Sequence, residues 1–304
     1  MRTFVFTCLL LLGMTTFAQD ANFHIYLCLG QSNMEGNAKV EEQDTVAVDS
    51  RFQVLAAVDC PNLGRTKGNW YKAVPPLARC YTGLTPGDYF GRAMVANLPS
   101  NVRVGIINVA VGGCRIELFD KDNYQFYVET SPDWLKNMVK EYGGNPYARL
   151  VEMAKLAQKD GVIKGILLHQ GESNTNDKDW PLKVKGVYDN LLNDLGLSAA
   201  NVPLLAGEVV HADQNGVCAS MNTIIDSLPQ VIPTAHVISS AGCPAAFDNL
   251  HFTAEGYRML GARYAAKMLS ILGYGDWTSA QNMKLWYNLS LIHISEPTRH
   301  SLIS

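Results

Sequence analysis

Short apolar runs recur along the chain at 23–29, 51–58, 102–111, 163–169, 202–210 and 236–239. Between several of them the apolar spacing changes to that of a helix. The runs are strand-length and show little polar alternation, so these strands are expected to be buried on both faces. Asn145-Pro146 supplies an N-cap and a proline at the first helical position. Leu150, Met153, Ala154 and Ala157 then form an apolar stripe, and Gly161 follows it. A second helix is expected over 181–195. A third is expected from Thr253, with Glu255 in its first turn, through Leu260, Tyr264 and Met268 to about 272. Strands alternating with helices imply crossover connections and parallel pairing, with helices on both faces of the sheet. The expected fold is a single α/β domain, a three-layer α/β/α sandwich around a mainly parallel sheet.

Two stretches, 59–86 and 119–144, read as long irregular loops. The first holds Trp70 and Tyr71; the second holds Tyr124, Phe126, Tyr127, Trp134 and Tyr142. Long loops on a compact scaffold are usually functional. Their rings either pack the loops or line a groove for a sugar.

The ends of the chain differ in character from this body. Arg2, the apolar residues 4–14 and Thr16-Phe17-Ala18 make residues 1–18 a secretory signal peptide. From residue 289 the sequence Leu-Ser-Leu-Ile-His-Ile-Ser-Glu-Pro-Thr-Arg resembles translated read-through of a transposase adapter used in DNA library preparation. Residues 289–304 are therefore set apart from the fold, as such an artefact or as a disordered tail, which leaves 19–288 as the domain.

Composition narrows the class. Hydrophobic residues make up 47% of the chain and charged residues 17%, which excludes a disordered chain or a coiled coil. A net charge of −3, without blocks of like charge, offers no electrostatic attraction to nucleic acid or an anionic membrane. Beyond the first residues no stretch approaches the roughly 20 apolar residues of a membrane span. The expected protein is secreted or periplasmic. Among its cysteines, Cys60 with Cys80 and Cys218 with Cys243 bracket irregular stretches and are the expected disulfides, whereas Cys28 is expected to be an inert buried thiol. No pair of cysteines has the spacing of a structural zinc site, and no metal is expected.

The chemistry-bearing residues gather at the ends of the expected strands. Gly30-Gln31-Ser32-Asn33-Met34 follows the first run, placing a hydroxyl at the carboxyl edge of the sheet, where open α/β folds bind ligands. Ser32 either caps the next helix or acts as a nucleophile. Asp248-Asn249-Leu250-His251 precedes the last helix, and a carboxylate three residues before an imidazole can fold back onto it, fixing its tautomer. Val111-Gly112-Gly113 follows the third run; it is a tight turn or a place where a backbone N–H approaches a reacting carbonyl. His169-Gln170-Gly171-Glu172-Ser173-Asn174 closes the next run with polar side chains, where an amide is a suitable oxyanion donor and Glu172 is a second acid or an orienting group.

Taken in order, these four blocks resemble the SGNH hydrolase superfamily, whose sheet is flavodoxin-like. The likeness is to its carbohydrate esterase branch of acetylxylan esterases and sialate O-acetylesterases, and it spans Gly30 to Gly256. The resemblance implies Ser32 as nucleophile, His251 as base and Asp248 as orienting acid. It also implies an oxyanion hole from Ser32, Gly113 rather than Gly112, and Gln170 rather than Asn174, with no cofactor. The implied partner is an acetylated carbohydrate: xylan first, and O-acetylated sialic acid if Arg65, Lys67 and Arg79 form a cationic cluster. A non-catalytic carbohydrate-binding protein of the same fold is the alternative, though such a protein has no need of a complete triad.

Overall fold

The computed structural model describes residues 19–275. The signal peptide expected at 1–18 and the tail at 289–304 lie outside these residues. Seven strands form one sheet: β1 (Asp20–Gly30), β2 (Phe52–Leu55), β3 (Trp70–Lys72), β4 (Arg103–Ala110), β5 (Gly161–His169), β6 (Leu204–Gly207) and β7 (Ala235–Ile238). Their order is β3-β2-β4-β1-β5-β6-β7, and every pairing is parallel except that of edge strand β3 with β2. β1 lies between β4 and β5, with Gly30 paired to Ala110 on one side and His169 on the other. The carboxyl ends of the three central strands therefore open at one edge.

Alternation along the strands divides the core in two. Phe23, Ile25, Leu27 and Leu29 of β1 join Ile107 and Val109 of β4 and Ile166 and Leu168 of β5 on one face. Helices Pro146–Ala157 and Trp180–Leu195 cover that face through Leu150, Met153, Val184 and Leu191. Tyr26, Cys28, Val104, Ile106 and Leu167 point to the opposite face, where helices Pro86–Asn97 and Ala254–Ile271 lie side by side. Those two helices pack so closely that a Cβ on Gly261 would sit 2.3 Å from the Pro86 carbonyl oxygen. The three-layer α/β/α architecture is thus as expected, with strands and three helices close to their expected positions.

Helix Pro86–Asn97 was not among the expected elements, although Thr85 and Asp88 form a reciprocal capping box at its start. Its Gly87 and Gly91 dilute the helical pattern. Gly91 is required by packing, because a Cβ there would overlap the Phe52 ring. The stretch 119–144 is not a loop: it contains helices Tyr124–Thr130 and Asp133–Glu141. Within 59–86, Trp70 and Tyr71 belong to β3 and serve packing, with the indole N–H donating to Asp160 at 2.9 Å and the Tyr71 hydroxyl accepting from the Thr66 amide.

Cys60 and Cys80 form the expected disulfide. The second expected pair does not form. Cys243 is a buried thiol, and Cys218 is a separate, half-buried one whose sulfur lies 3.7 Å from the Glu172 carbonyl oxygen. Cys28 is fully buried, and burial pushes its thiol pKa up, as expected of an inert side chain. Among the described residues no helix is long and apolar enough to cross a membrane.

Candidate active site

β1 ends at Gly30, whose φ of +150° and contact with β5 leave no room for a side chain; a Cβ would lie 2.0 Å from the His169 carbonyl oxygen. The chain then turns directly into a one-turn helix, Ser32–Glu35. Met34 at its end is held by two donors on its carbonyl oxygen, Asn108 Nδ2 at 2.8 Å and Thr85 Oγ1 at 2.7 Å. Ser32 is the first residue of this turn, so its N–H has no partner inside the helix.

Across the sheet edge, the segment before helix Ala254–Ile271 brings His251 to the serine. His251 Nε2 lies 2.9 Å from Ser32 Oγ, and His251 Nδ1 lies 2.6 Å from Asp248 Oδ2. The other oxygen of Asp248 accepts the N–H groups of Leu250 and His251, each at 3.0 Å. Burial pushes the Asp248 carboxyl up, but the bonds from the His251 ring and the two amides outweigh it and hold the group below the usual carboxylate range. A charged Asp248 fixes the proton of His251 on Nδ1 and leaves Nε2 as the acceptor facing Ser32 Oγ. Ser32, His251 and Asp248 thus lie in one hydrogen-bonded chain.

The glycine turn after β4 lies against the serine: a Cβ on Gly112 would be 3.8 Å from Ser32 Cβ. The Gly112 N–H is committed to Glu35 Oε1 at 3.1 Å. Gly113 has φ +70° and is exposed, and among the described residues no acceptor is paired with its N–H. The turn therefore lies against Ser32 through Gly112, and of its two glycine N–H groups that of Gly113 is the one without a paired acceptor among the described residues.

Gln170 departs from the expected arrangement. It is fully buried, and its amide nitrogen donates to Asn174 Oδ1 at 2.7 Å, Gln31 Oε1 at 3.1 Å and the Cys114 carbonyl at 3.3 Å. Its carbonyl oxygen accepts from the Trp180 indole. Two N–H groups already serve three acceptors, leaving none for a substrate oxyanion. Gln170 braces the strand end and holds Gln31, the residue before Ser32. Asn174 is likewise engaged, donating to Glu117 and Asp177.

Two features were not visible in the motif spacing. The first is a buried polar cluster behind the relay. Asn33 is fully buried; its amide donates to Glu172 Oε1 and to the Leu250 carbonyl at 3.1 Å, and it accepts from the Tyr257 hydroxyl at 2.6 Å. It joins the Ser32 turn to the residue before His251. Burial raises the Glu172 carboxyl against the lowering effect of the Asn33 bond. His169, behind it, is fully buried with no hydrogen-bond partner for either ring nitrogen among the described residues, its Nε2 lying 3.7 Å from Glu172 Oε1, and burial lowers its pKa to about 3, so it is neutral. The second feature is the Glu35–Arg79–Glu141 chain of ion pairs. It links the Ser32–Glu35 turn to the end of helix Asp133–Glu141. Burial raises the Glu35 carboxyl even though Arg79 and the Gly112 N–H counteract it.

Comparison with known proteins identifies the family. A family model described as "Carbohydrate esterase, sialic acid-specific acetylesterase" matches residues 22–270. The chain is 25% identical over 264 residues to the probable carbohydrate esterase At4g34215 of Arabidopsis thaliana, covering 81% of this chain and 90% of the relative. The X-ray structure of that Arabidopsis protein shares the fold, with TM-score 0.63 and 21% identity over 83% of this chain and 99% of that one. So does NanS, with TM-score 0.59 and 15% identity over 84% and 99% of the two chains. A carbohydrate acetylesterase from Xanthomonas citri aligns with TM-score 0.57 and 18% identity over 81% of this chain and 56% of its own. With its matched region running from β1 into the last helix, the chain belongs to the carbohydrate esterase family of sialic acid-specific acetylesterases, enzymes that hydrolyse carboxylic esters.

Proposed function

We propose that this protein is an exported serine esterase that removes O-acetyl groups from a polysaccharide, with acetylated xylan as substrate. The observation that carries the reading is the relay Ser32–His251–Asp248 at 2.9 and 2.6 Å. Ser32 Oγ attacks the acetyl carbonyl carbon as its proton passes to His251 Nε2. The carbonyl oxygen, now negative, is received by the N–H groups of Ser32 and Gly113. Collapse of the tetrahedral intermediate breaks the bond to the sugar oxygen, which takes the proton from His251. Water then gives a proton to His251 and attacks the acyl-enzyme, and release of acetate restores Ser32.

A neutral sugar is favoured because the cations that would otherwise read a sialate carboxylate are committed elsewhere. Arg65 donates to the carbonyls of Pro76 and Val74, Lys67 pairs with Glu152, and Arg79 is held between Glu35 and Glu141. The test is acetate release from acetylated xylan and from O-acetylated sialic acid in parallel, beside hydrolysis of p-nitrophenyl acetate by wild type and Ser32→Ala. Ser32→Ala is expected to lose about 10⁴-fold or more on the aryl ester. Equal rates for the two enzymes refute the serine mechanism, and faster release from sialic acid refutes the xylan assignment.

A further inference from the structure

The aromatic residues of 119–144 divide sharply by environment. Tyr142 is buried with its hydroxyl on the Ala110 carbonyl, and the Tyr127 hydroxyl accepts the Arg115 amide at 3.0 Å. Trp134 does neither: it is 54% exposed. Yet it does not stand free on a loop. It is the second residue of helix Asp133–Glu141, which is anchored by buried Leu135 and Val139. Met138 and Glu141 are four and seven residues along, on the same helix face. Both meet Arg79, Met138 through its sulfur and Glu141 through its carboxylate. Arg79 in turn holds Glu35, which binds the Gly112 N–H. The helix face bearing Trp134 is thereby tied to the Gly112-Gly113 turn.

The indole reaches that turn. A Cβ on Gly113 would lie 2.6 Å from Trp134 Cη2 and 3.2 Å from Cζ3, so the benzo edge of the ring occupies the space a side chain would fill. A half-exposed aromatic ring thus sits in van der Waals contact with Gly113, the residue after the glycine that lies against Ser32, and its remaining surface is open to solvent. Aromatic side chains commonly line ligand clefts, and this ring lies at the carboxyl edge of the sheet where such a cleft opens. An aromatic ring also gives that contact at little entropic cost, because a tryptophan has only two side-chain torsions to fix.

We infer that Trp134 is a specificity-determining platform on which the sugar ring bearing the scissile ester stacks, its C–H face against the indole, while the acetyl carbonyl reaches Gly113 and Ser32. This deepens the esterase reading and rests on it. The occupant is a neutral pyranose, the chemistry that pairs an apolar ring face with an aromatic surface.

The test separates the platform from the catalytic centre by using two substrates. For Trp134→Ala, the ratio of kcat/KM on acetylated xylo-oligosaccharide to that on p-nitrophenyl acetate is expected to fall about tenfold, the loss of one stacked ring. Trp134→Phe keeps a ring and should recover most of that ratio. Binding is read independently by titrating Ser32→Ala enzyme with acetylated xylo-oligosaccharide and following tryptophan fluorescence. The saturable change should disappear in Ser32→Ala/Trp134→Phe. An unchanged ratio, or a fluorescence change that persists in the double variant, overturns the platform. Faster hydrolysis of p-nitrophenyl butyrate by Trp134→Ala also overturns it, by placing the indole on the acyl side. Full p-nitrophenyl acetate activity in Ser32→Ala would instead sink the esterase mechanism.

Discussion

Asn33 connects the two halves of the relay, so removing its side chain should be felt in both stability and turnover. Three hydrogen bonds end on this buried amide: one to the Glu172 carboxyl, one to the Leu250 carbonyl and one from the Tyr257 hydroxyl. Asn33→Ala strands all three partners in a region closed to water. A neutral bond is worth about 1 kcal/mol and one to an ionised carboxylate about 1.5–3, which brackets the loss at roughly 3–5 kcal/mol before relaxation. That is a large part of the 5–15 kcal/mol, in round terms, that holds a domain folded. Urea unfolding should show the loss as a lower midpoint at unchanged slope. Because Leu250 immediately precedes His251, the same change loosens the base of the proposed mechanism; kcat should fall about tenfold or more with KM nearly constant, as expected for a displaced catalytic group. Tyr257→Phe removes only one of the three bonds and should cost about 1 kcal/mol, giving a measurable variant if Asn33→Ala does not fold. A loss below about 1 kcal/mol with full turnover in Asn33→Ala would show that the cluster does not couple the two halves.

Two further predictions concern the helix pair on the opposite face. Gly261→Ala places a methyl 2.3 Å from the Pro86 carbonyl oxygen and should destabilise the protein by about 1–3 kcal/mol, seen as a lower melting temperature, whereas a gain from improved helix propensity would contradict the close packing. Asp88 is fully buried, with Oδ2 accepting the Thr85 amide and Oδ1 without a partner among the described residues, and burial pushes its pKa up to about 8. Its folded pKa lies above the unfolded one, so its contribution to stability is present below about pH 4 and is lost as pH rises towards 8, with a slope of at most about 1.4 kcal/mol per pH unit. Asp88→Asn should flatten that part of the stability–pH curve measured by urea unfolding, and an unchanged slope would show that Asp88 is ionised in the folded protein.

Burial and local spacing explain which parts of this molecule could be read from the chain. Strands covered on both faces must be apolar along their length, so β1, β4 and β5 stood out, and the residues just beyond them could be placed at one sheet edge. The Asp248–His251 pair was also legible, because three residues suffice for one turn in which Asp248 takes the amides of Leu250 and His251 as well as the ring. The Ser32–His251 contact spans 219 positions and has no local signature; it was supplied by the resemblance rather than by spacing. Helix Pro86–Asn97 stayed hidden because its glycines serve neighbours distant in sequence, Gly91 making room for Phe52 of β2. Gln170 shows the same limit at the site itself. Its amide has the right chemistry for an oxyanion donor and a place at the right strand end, but tertiary neighbours Trp180, Asn174 and Gln31 take up its hydrogen-bonding capacity. Trp134 is the converse case. As one of five aromatics in an apparent loop it carried no special weight, and only the packing of its helix against Gly113 distinguishes it from Tyr127 and Tyr142. Residue type and position at a strand end therefore nominate candidates, and competition among neighbours for each polar atom and ring face decides which remain available to a substrate.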